Sequence, residues 1–206
     1  AITQGDAAYT CIITFTDSAG NVAGGLTMTA FTLDTAAAAP SESTVVTTPT
    51  KDTTPDVGLT FAEAGTIAVA GSTGCGLSST ATMAAGANVV TLTASNGDAA
   101  YVCTIVFTDA LNNAASSMSL TAFTLDTAVA TPSETTAVTA LDNDPTPDVT
   151  ITVAEAGTIA VAGTTGCGLS STSAMTSGAN TVTLTTSGDG AYVCTIVFTD
   201  ALNNAA

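Results

Sequence analysis

Five cysteines, at positions 11, 75, 103, 167 and 194, stand in a chain of 206 residues that has no histidine. Zinc ligation and nucleophilic attack by a thiolate commonly recruit histidine as co-ligand or base, so these thiols point to structural disulfides. A bridge is expected between Cys75 and Cys103 and another between Cys167 and Cys194. Each would close a loop worth roughly 3 to 4 kcal/mol to a small domain. Cys11 is the odd one: by the same spacing its partner lies upstream, so it is expected to pair outside the chain, to stay free, or to bond a neighbouring copy. Disulfides persist in oxidising compartments, which places the chain outside the cell or on its surface.

The second constellation is rich in oxygen. Asp109, Asn112 and Asn113 share one loop, Asp126 lies in a linker, and Asp142, Asp144 and Asp148 open the next segment. Calcium takes about 6 to 8 oxygen ligands, and Asp109, Asn113, Asp126, Asp142 and Asp144 are its candidate ligands at a domain junction. The competing reading is that these are turn and cap residues, where Asp and Asn bond their own backbone. An earlier counterpart would use Asp17, Asn21, Asp34, Asp52 and Asp56, beside Lys51 and in a loop of different sequence, DSAGN against DALNN. No cofactor other than calcium is suggested. No residue set supports acid–base or covalent catalysis, so the chain is not expected to be an enzyme.

Seventeen acidic residues against one basic residue, Lys51, give a net charge of −16. Nucleic acid and anionic membrane surfaces both require clustered Lys and Arg, so neither is an expected partner. Charged residues are only 9% and hydrophobic ones 46%, enough for a folded core. No apolar run approaches the ~18 residues of a membrane span, so membrane insertion is not expected within this window. The first ten residues lack the basic and apolar regions of a signal peptide, so any export signal is expected to lie outside the window or to have been removed.

The elements that must hold these residues are repeated. Ala100–Ala115 (AYVCTIVFTDALNNAA) recurs unchanged as Ala191–Ala206, and AEAGTIAVAG at Ala62–Gly71 recurs at Ala154–Gly163. Cys11, Cys103 and Cys194 set a period of 92 and then 91 residues, the size of a small sandwich domain. Short links carrying Pro at Ala36–Pro40 and Ala128–Pro132 suggest three segments: the end of one repeat at 1–36, a complete repeat at 37–128, and a repeat at 129–206 lacking its last strand.

Within a repeat the hydrophobic period is two. Tyr101, Cys103, Ile105 and Phe107 alternate with Val102, Thr104, Val106 and Thr108, while Val57, Leu59 and Phe61 alternate with Gly58 and Thr60. Val149, Ile151 and Val153 repeat that pattern, and Ile67 with Val69 and Val90 with Leu92 add short strands. Met118 and Leu120 are out of parity with Phe123 and Leu125, which predicts a bulge or bend between them. About seven antiparallel strands per repeat indicate an all-β chain of tandem sandwiches, strung like beads.

All three tyrosines, Tyr9, Tyr101 and Tyr192, sit two residues before a cysteine and three after an aspartate (Asp6, Asp98, Asp189). That is the tyrosine-corner arrangement of immunoglobulin-like sandwiches. With the FTLDT linker at Phe31–Thr35 and Phe123–Thr127, DTTPDVGLTFAEAGTI at Asp52–Ile67, and the Gly-Cys turn, the chain resembles bacterial immunoglobulin-like repeats of large cell-surface and adhesin proteins. The resemblance implies tandem β-sandwich arrays projecting from cells. Two function classes follow. One is a structural array, a stalk or a filament whose partners are neighbouring repeats or copies meeting head to tail; the other is an adhesin module that binds glycan or protein through its loops.

Overall fold

The computed structural model describes residues 5–71, 73–78, 81–139, 142–162, 166–170 and 173–206. Every regular element in it is a β-strand, as expected for Thr- and Val-rich segments of period two. Two compact units form, one from Ala1–Val46, Thr54–Ser95 and Tyr101–Ala122, the other from Thr47–Thr53, Asn96–Ala100 and Phe123–Ala206.

The first unit begins with β1 (Ala7–Tyr9), β2 (Ile12–Ile13), β3 (Leu26–Thr27) and β4 (Phe31–Leu33), in which β1 pairs with β4 and β2 with β3. Next come β5 (Ser41–Thr44), β6 (Asp56–Phe61), β7 (Gly65–Val69), β8 (Cys75–Leu77), β9 (Thr82–Met83) and β10 (Gly86–Ala94). β11 (Ala99–Tyr101) crosses the division between the units, and the first unit closes with β12 (Thr104–Asp109) and β13 (Met118–Ser119). Two four-stranded sheets result, in the orders β5-β6-β10-β8 and β13-β12-β7-β9.

These sheets share one core because alternate residues of each point at the other. Val57, Leu59 and Phe61 from β6, Val90 and Leu92 from β10, and Ile105 and Phe107 from β12 are all buried. The Phe61 and Phe107 rings meet with centroids 5.0 Å apart. Burial of one such side chain contributes about 1.5 to 3 kcal/mol. Gly65 lets β7 approach: a Cβ there would collide with the Thr108 carbonyl and the Phe107 ring. Gly157 is under the same constraint against Thr199 and Phe198, so the repeated AEAG motif keeps its glycine for close packing.

The second unit holds β14 (Phe123–Leu125), β15 (Ser133–Thr136), β16 (Asp148–Val153), β17 (Gly157–Ala162), β18 (Cys167–Leu169), β19 (Ala174–Met175), β20 (Gly178–Thr186) and β21 (Thr195–Asp200). Its sheets run β15-β16-β20-β18 and β19-β17-β21. Val149, Ile151, Val153, Ile159, Met175, Val182, Leu184 and Phe198 make its core.

In each unit a disulfide ties an edge strand of one sheet to the other sheet. Cys75 on β8 bonds Cys103, which leads into β12, with Cα atoms 5.7 Å apart. Cys167 on β18 bonds Cys194, which leads into β21, at 5.8 Å. Cys11 is exposed and takes part in neither bond. Two such bonds suit a non-reducing compartment, and no helix of the described residues is long and apolar enough to cross a membrane.

The parity change between Leu120 and Phe123 takes a different form from a bulge in one strand. β13 pairs with β12 and β14 with β11, and β11 is itself separated from β12 at Val102–Cys103. Both partners are interrupted at the same level, so pairing restarts in the new parity; β1/β4 and β2/β3 repeat the device. Among the described residues, 37–128 carry ten strand segments, β5 to β14, against the seven or so expected, and two of the additional segments come from these interruptions.

Candidate functional site: two carboxylate triads

At the end of β12, Asp109 is buried and its carboxylate is held by the turn that follows. It accepts hydrogen bonds from the backbone of Leu111 (2.8 Å) and Asn113 (2.8 Å) and from Asn113 Nδ2 (2.7 Å). The turn closes because Asn112 adopts a left-handed φ of 67°, a conformation Asn tolerates better than most residues. Asn113 Nδ2 also donates to the Asp34 carbonyl at 3.3 Å. Asn113 therefore enters as a hydrogen-bond donor that positions Asp109 and Asp34.

Asp34 follows β4, and Glu63 lies in the loop between β6 and β7. Their carboxylate oxygens and that of Asp109 all fall within 4.8 Å of one another. Asp126, Glu155 and Asp200 form the same triad in the second unit. Corresponding members are 92, 92 and 91 residues apart, the period of the repeat. Asp200 is held as Asp109 is, by Leu202 N (2.8 Å), Asn204 N (2.9 Å) and Asn204 Nδ2 (2.8 Å), with Asn203 at φ 64°. Asn204 Nδ2 reaches the Asp126 carbonyl at 3.2 Å.

A clamp from elsewhere in the chain sets the first member of each triad. Asp98 accepts from Thr127 N (2.8 Å), Thr127 Oγ1 (2.6 Å) and Ala128 N (3.1 Å), which fixes the backbone beside Asp126. Asp6 does the same for Thr35, at 3.0 and 2.6 Å, beside Asp34. These aspartates are the ones three residues before a tyrosine. The following tyrosines also bond locally: Tyr192 donates its hydroxyl to the Gly188 carbonyl at 2.6 Å and Tyr9 donates to that of Gly5.

Like charge at close range leaves a signature in the second triad. Burial, then the charges of Asp200 and Asp98, raise the Asp126 carboxyl above its ordinary range. Burial, then Asp126 and Asp200, raise Glu155, against a hydrogen bond from the Ala130 backbone. Burial also pushes Asp200 upward, but its Asn204 and Leu202 donors and the charge of Lys51 outweigh that, leaving it lowered. In the first unit Asp109 is lowered in the same way, its donors overriding burial. Each triad thus pairs a strongly bonded aspartate with two half-buried carboxylates, the donor set of a hard cation.

Of the residues singled out by sequence, Asp109 and Asp34 fall in the first triad and Asp126 in the second. Asp142 and Asp144 fall in neither. They cap consecutive turns, Asp142 accepting from Asp144 N (3.0 Å) and Asp144 from Thr146 N (2.8 Å) and Oγ1 (2.9 Å). Asp148 and Asp56 each take a cross-strand threonine hydroxyl, from Thr183 (2.7 Å) and Thr91 (2.6 Å). Asp17 and Asn21 form an exposed copy of the Asp109 turn. Glu63, Glu155 and Asp200 complete the triads without having been foreseen; the signal available was the recurrence of AEAG and FTDALNN at the repeat period. No protein-family model matches this chain, and no curated protein matches it.

Proposed function

We propose that this chain is a structural piece of an extracellular array, a stalk or filament-forming surface protein built from disulfide-stapled immunoglobulin-like repeats strung like beads. The carrying observation is that one set of devices recurs along the chain: disulfide and carboxylate triad after one repeat period, and the tyrosine hydroxyl bond after two. Tyrosine hydroxyls bonded to a carbonyl four residues upstream support the immunoglobulin-like assignment, since that sandwich uses the same corner. A spacer needs interchangeable units, whereas a recognition surface needs a private one, and the chain has no tryptophan to build an aromatic platform. Its partners in this reading are neighbouring repeats or copies, head to tail.

Calcium is the ion the two all-oxygen triads would take. It would neutralise the mutual repulsion of three carboxylates and stiffen the segment each triad ties together. Millimolar calcium should therefore raise the thermal midpoint, and Glu155→Gln should remove part of that gain; an unchanged midpoint would leave the triads as purely hydrogen-bonded corners. The array reading itself is tested by glycan-array and cell-binding assays on the chain. A spacer gives no saturable binding, and saturable binding through loops would favour the adhesin alternative.

A further inference from the structure

Of the asparagines in the chain, Asn96 alone is followed by glycine. In that dipeptide the side-chain amide is open to attack by the next backbone nitrogen, because glycine has no side chain to obstruct the approach. The setting leaves room for it. Residues 95–98 lie between β10 and β11, outside both strands, with Asn96 and Gly97 exposed. Gly97 has a left-handed φ of 71°, and a Cβ placed on it would meet nothing within 4 Å. By contrast, Asn21, Asn113 and Asn204 donate their amides to Asp17, Asp109 and Asp200. Asn88 and Asn180, inside β10 and β20, donate to the Ala84 and Thr176 carbonyls and precede the β-branched Val89 and Thr181.

Two residues beyond Asn96, the Asp98 carboxylate accepts the three hydrogen bonds that hold Thr127 and Ala128. The bend is therefore also the base of the clamp beside Asp126. Asn96 is not needed to build that clamp. By sequence its place is taken by Gln4 in the preceding repeat and Ser187 in the following one, and Asp6 clamps Thr35 in the same way with Gln4 before it. Glutamine would have to close a larger ring, which is slower, and serine has no amide to lose, so the chemistry is private to the middle repeat.

We propose that Asn96–Gly97 is a self-modification site, at which the chain deamidates through a cyclic imide and so releases the grip of Asp98 on Thr127 and Ala128. Gly97 N attacks the Asn96 side-chain carbonyl; the N–Cγ bond forms, the Cγ–Nδ2 bond breaks, and the amide nitrogen leaves as ammonia with the proton from Gly97 N. Water then opens the imide. Opening at Cγ gives aspartate on an unaltered main chain, whereas opening at the main-chain carbonyl gives isoaspartate, whose backbone runs through the former side chain. Isoaspartate adds one methylene to the main chain just before Asp98, in a bend whose flanking strands β10 and β11 are each paired elsewhere. The extra length shifts the carboxylate against its donors, and bonds of 2.6 to 3.1 Å weaken steeply with such displacement.

The test is ageing of the full oxidised chain in mildly alkaline buffer, beside Asn96→Ser and freshly prepared Asn96→Asp. Wild type should release ammonia, gain negative charge on ion exchange, and become a substrate for isoaspartyl methyltransferase with the label mapping to position 96; Asn96→Ser should acquire no label there. Hydrogen exchange should then show the Thr127 and Ala128 amides opening roughly tenfold faster in aged than in fresh wild type. Fresh Asn96→Asp carries the added charge on an unaltered main chain and should keep the slow rate. Absence of isoaspartate at position 96 would overturn the site. Isoaspartate there with Thr127 and Ala128 exchanging as before, or equal quickening in fresh Asn96→Asp, would overturn the release of the clamp. The reaction proceeds in a lone chain, so either outcome leaves the array reading to its own assays.

Discussion

Ala100–Ala115 and Ala191–Ala206 are the same sixteen residues, and they fold to the same strand and the same Asp–Asn turn. Around the first copy the tyrosine, cysteine and isoleucine of the strand are sealed; around the second they are half-open. Local geometry therefore belongs to the sequence, while burial belongs to the neighbour, here a strand some fifteen residues further along. Phe107 and Phe198 are buried equally, because β7 and β17, with Gly65 and Gly157, cover that end of the strand in both units.

The largest effects should be those that leave the two copies alike. Replacing Cys75 and Cys103 by Ser opens a crosslink of sequence separation 28, and replacing Cys167 and Cys194 opens one of 27. Loop-closure entropy sets each loss at roughly 3 to 4 kcal/mol, read from urea unfolding of the oxidised variants. Losses differing by more than ~1 kcal/mol would show that surroundings, and not loop length, govern these bonds.

A somewhat smaller effect should separate the copies. Ile105→Ala removes a side chain with no exposed surface and should cost about 3 kcal/mol, within the range for a core Ile→Ala change. Ile196→Ala acts at a half-buried site, and about 1 kcal/mol is expected. Equal losses would show that the surroundings of Ile196 pack as tightly in solution as those of Ile105.

How much of this was legible beforehand follows the same division. Strand faces could be read directly: Val57, Leu59 and Phe61, or Tyr101, Cys103, Ile105 and Phe107, lie inward as period two requires. The cysteine pairs followed from the phase of the repeat. Asp142 and Asp144 look like ligands by type, yet they spend their oxygens on turns two residues away, which composition cannot distinguish from coordination. Glu63 and Glu155 were hidden for the opposite reason. Each meets its triad from a loop at least 29 residues from either partner, and such proximity is a product of the folded sheets. The break after Leu120 was signalled by parity, but its matched form in both strands depends on pairing that only the fold reveals.

The smallest predicted effect concerns pH, and it sharpens the comparison between the triads. A carboxyl raised on folding, as Asp126 and Glu155 are, binds its proton more tightly in the native state. Its stabilising contribution is fully present below the unfolded value, about 4, and is lost as pH rises through the raised value. Asp109 and Asp200 are lowered, so theirs is present above the unfolded value and lost as pH falls through the lowered one. Acidification from neutrality should first raise the urea midpoint slightly, as Asp126 and Glu155 take up protons, and then lower it below about pH 4 as the bonded aspartates follow. Asp126→Asn should flatten the first limb and spare the second. A midpoint that falls monotonically from pH 7 in the calcium-free protein would show that the like charges of the second triad are relieved by some other means than protonation.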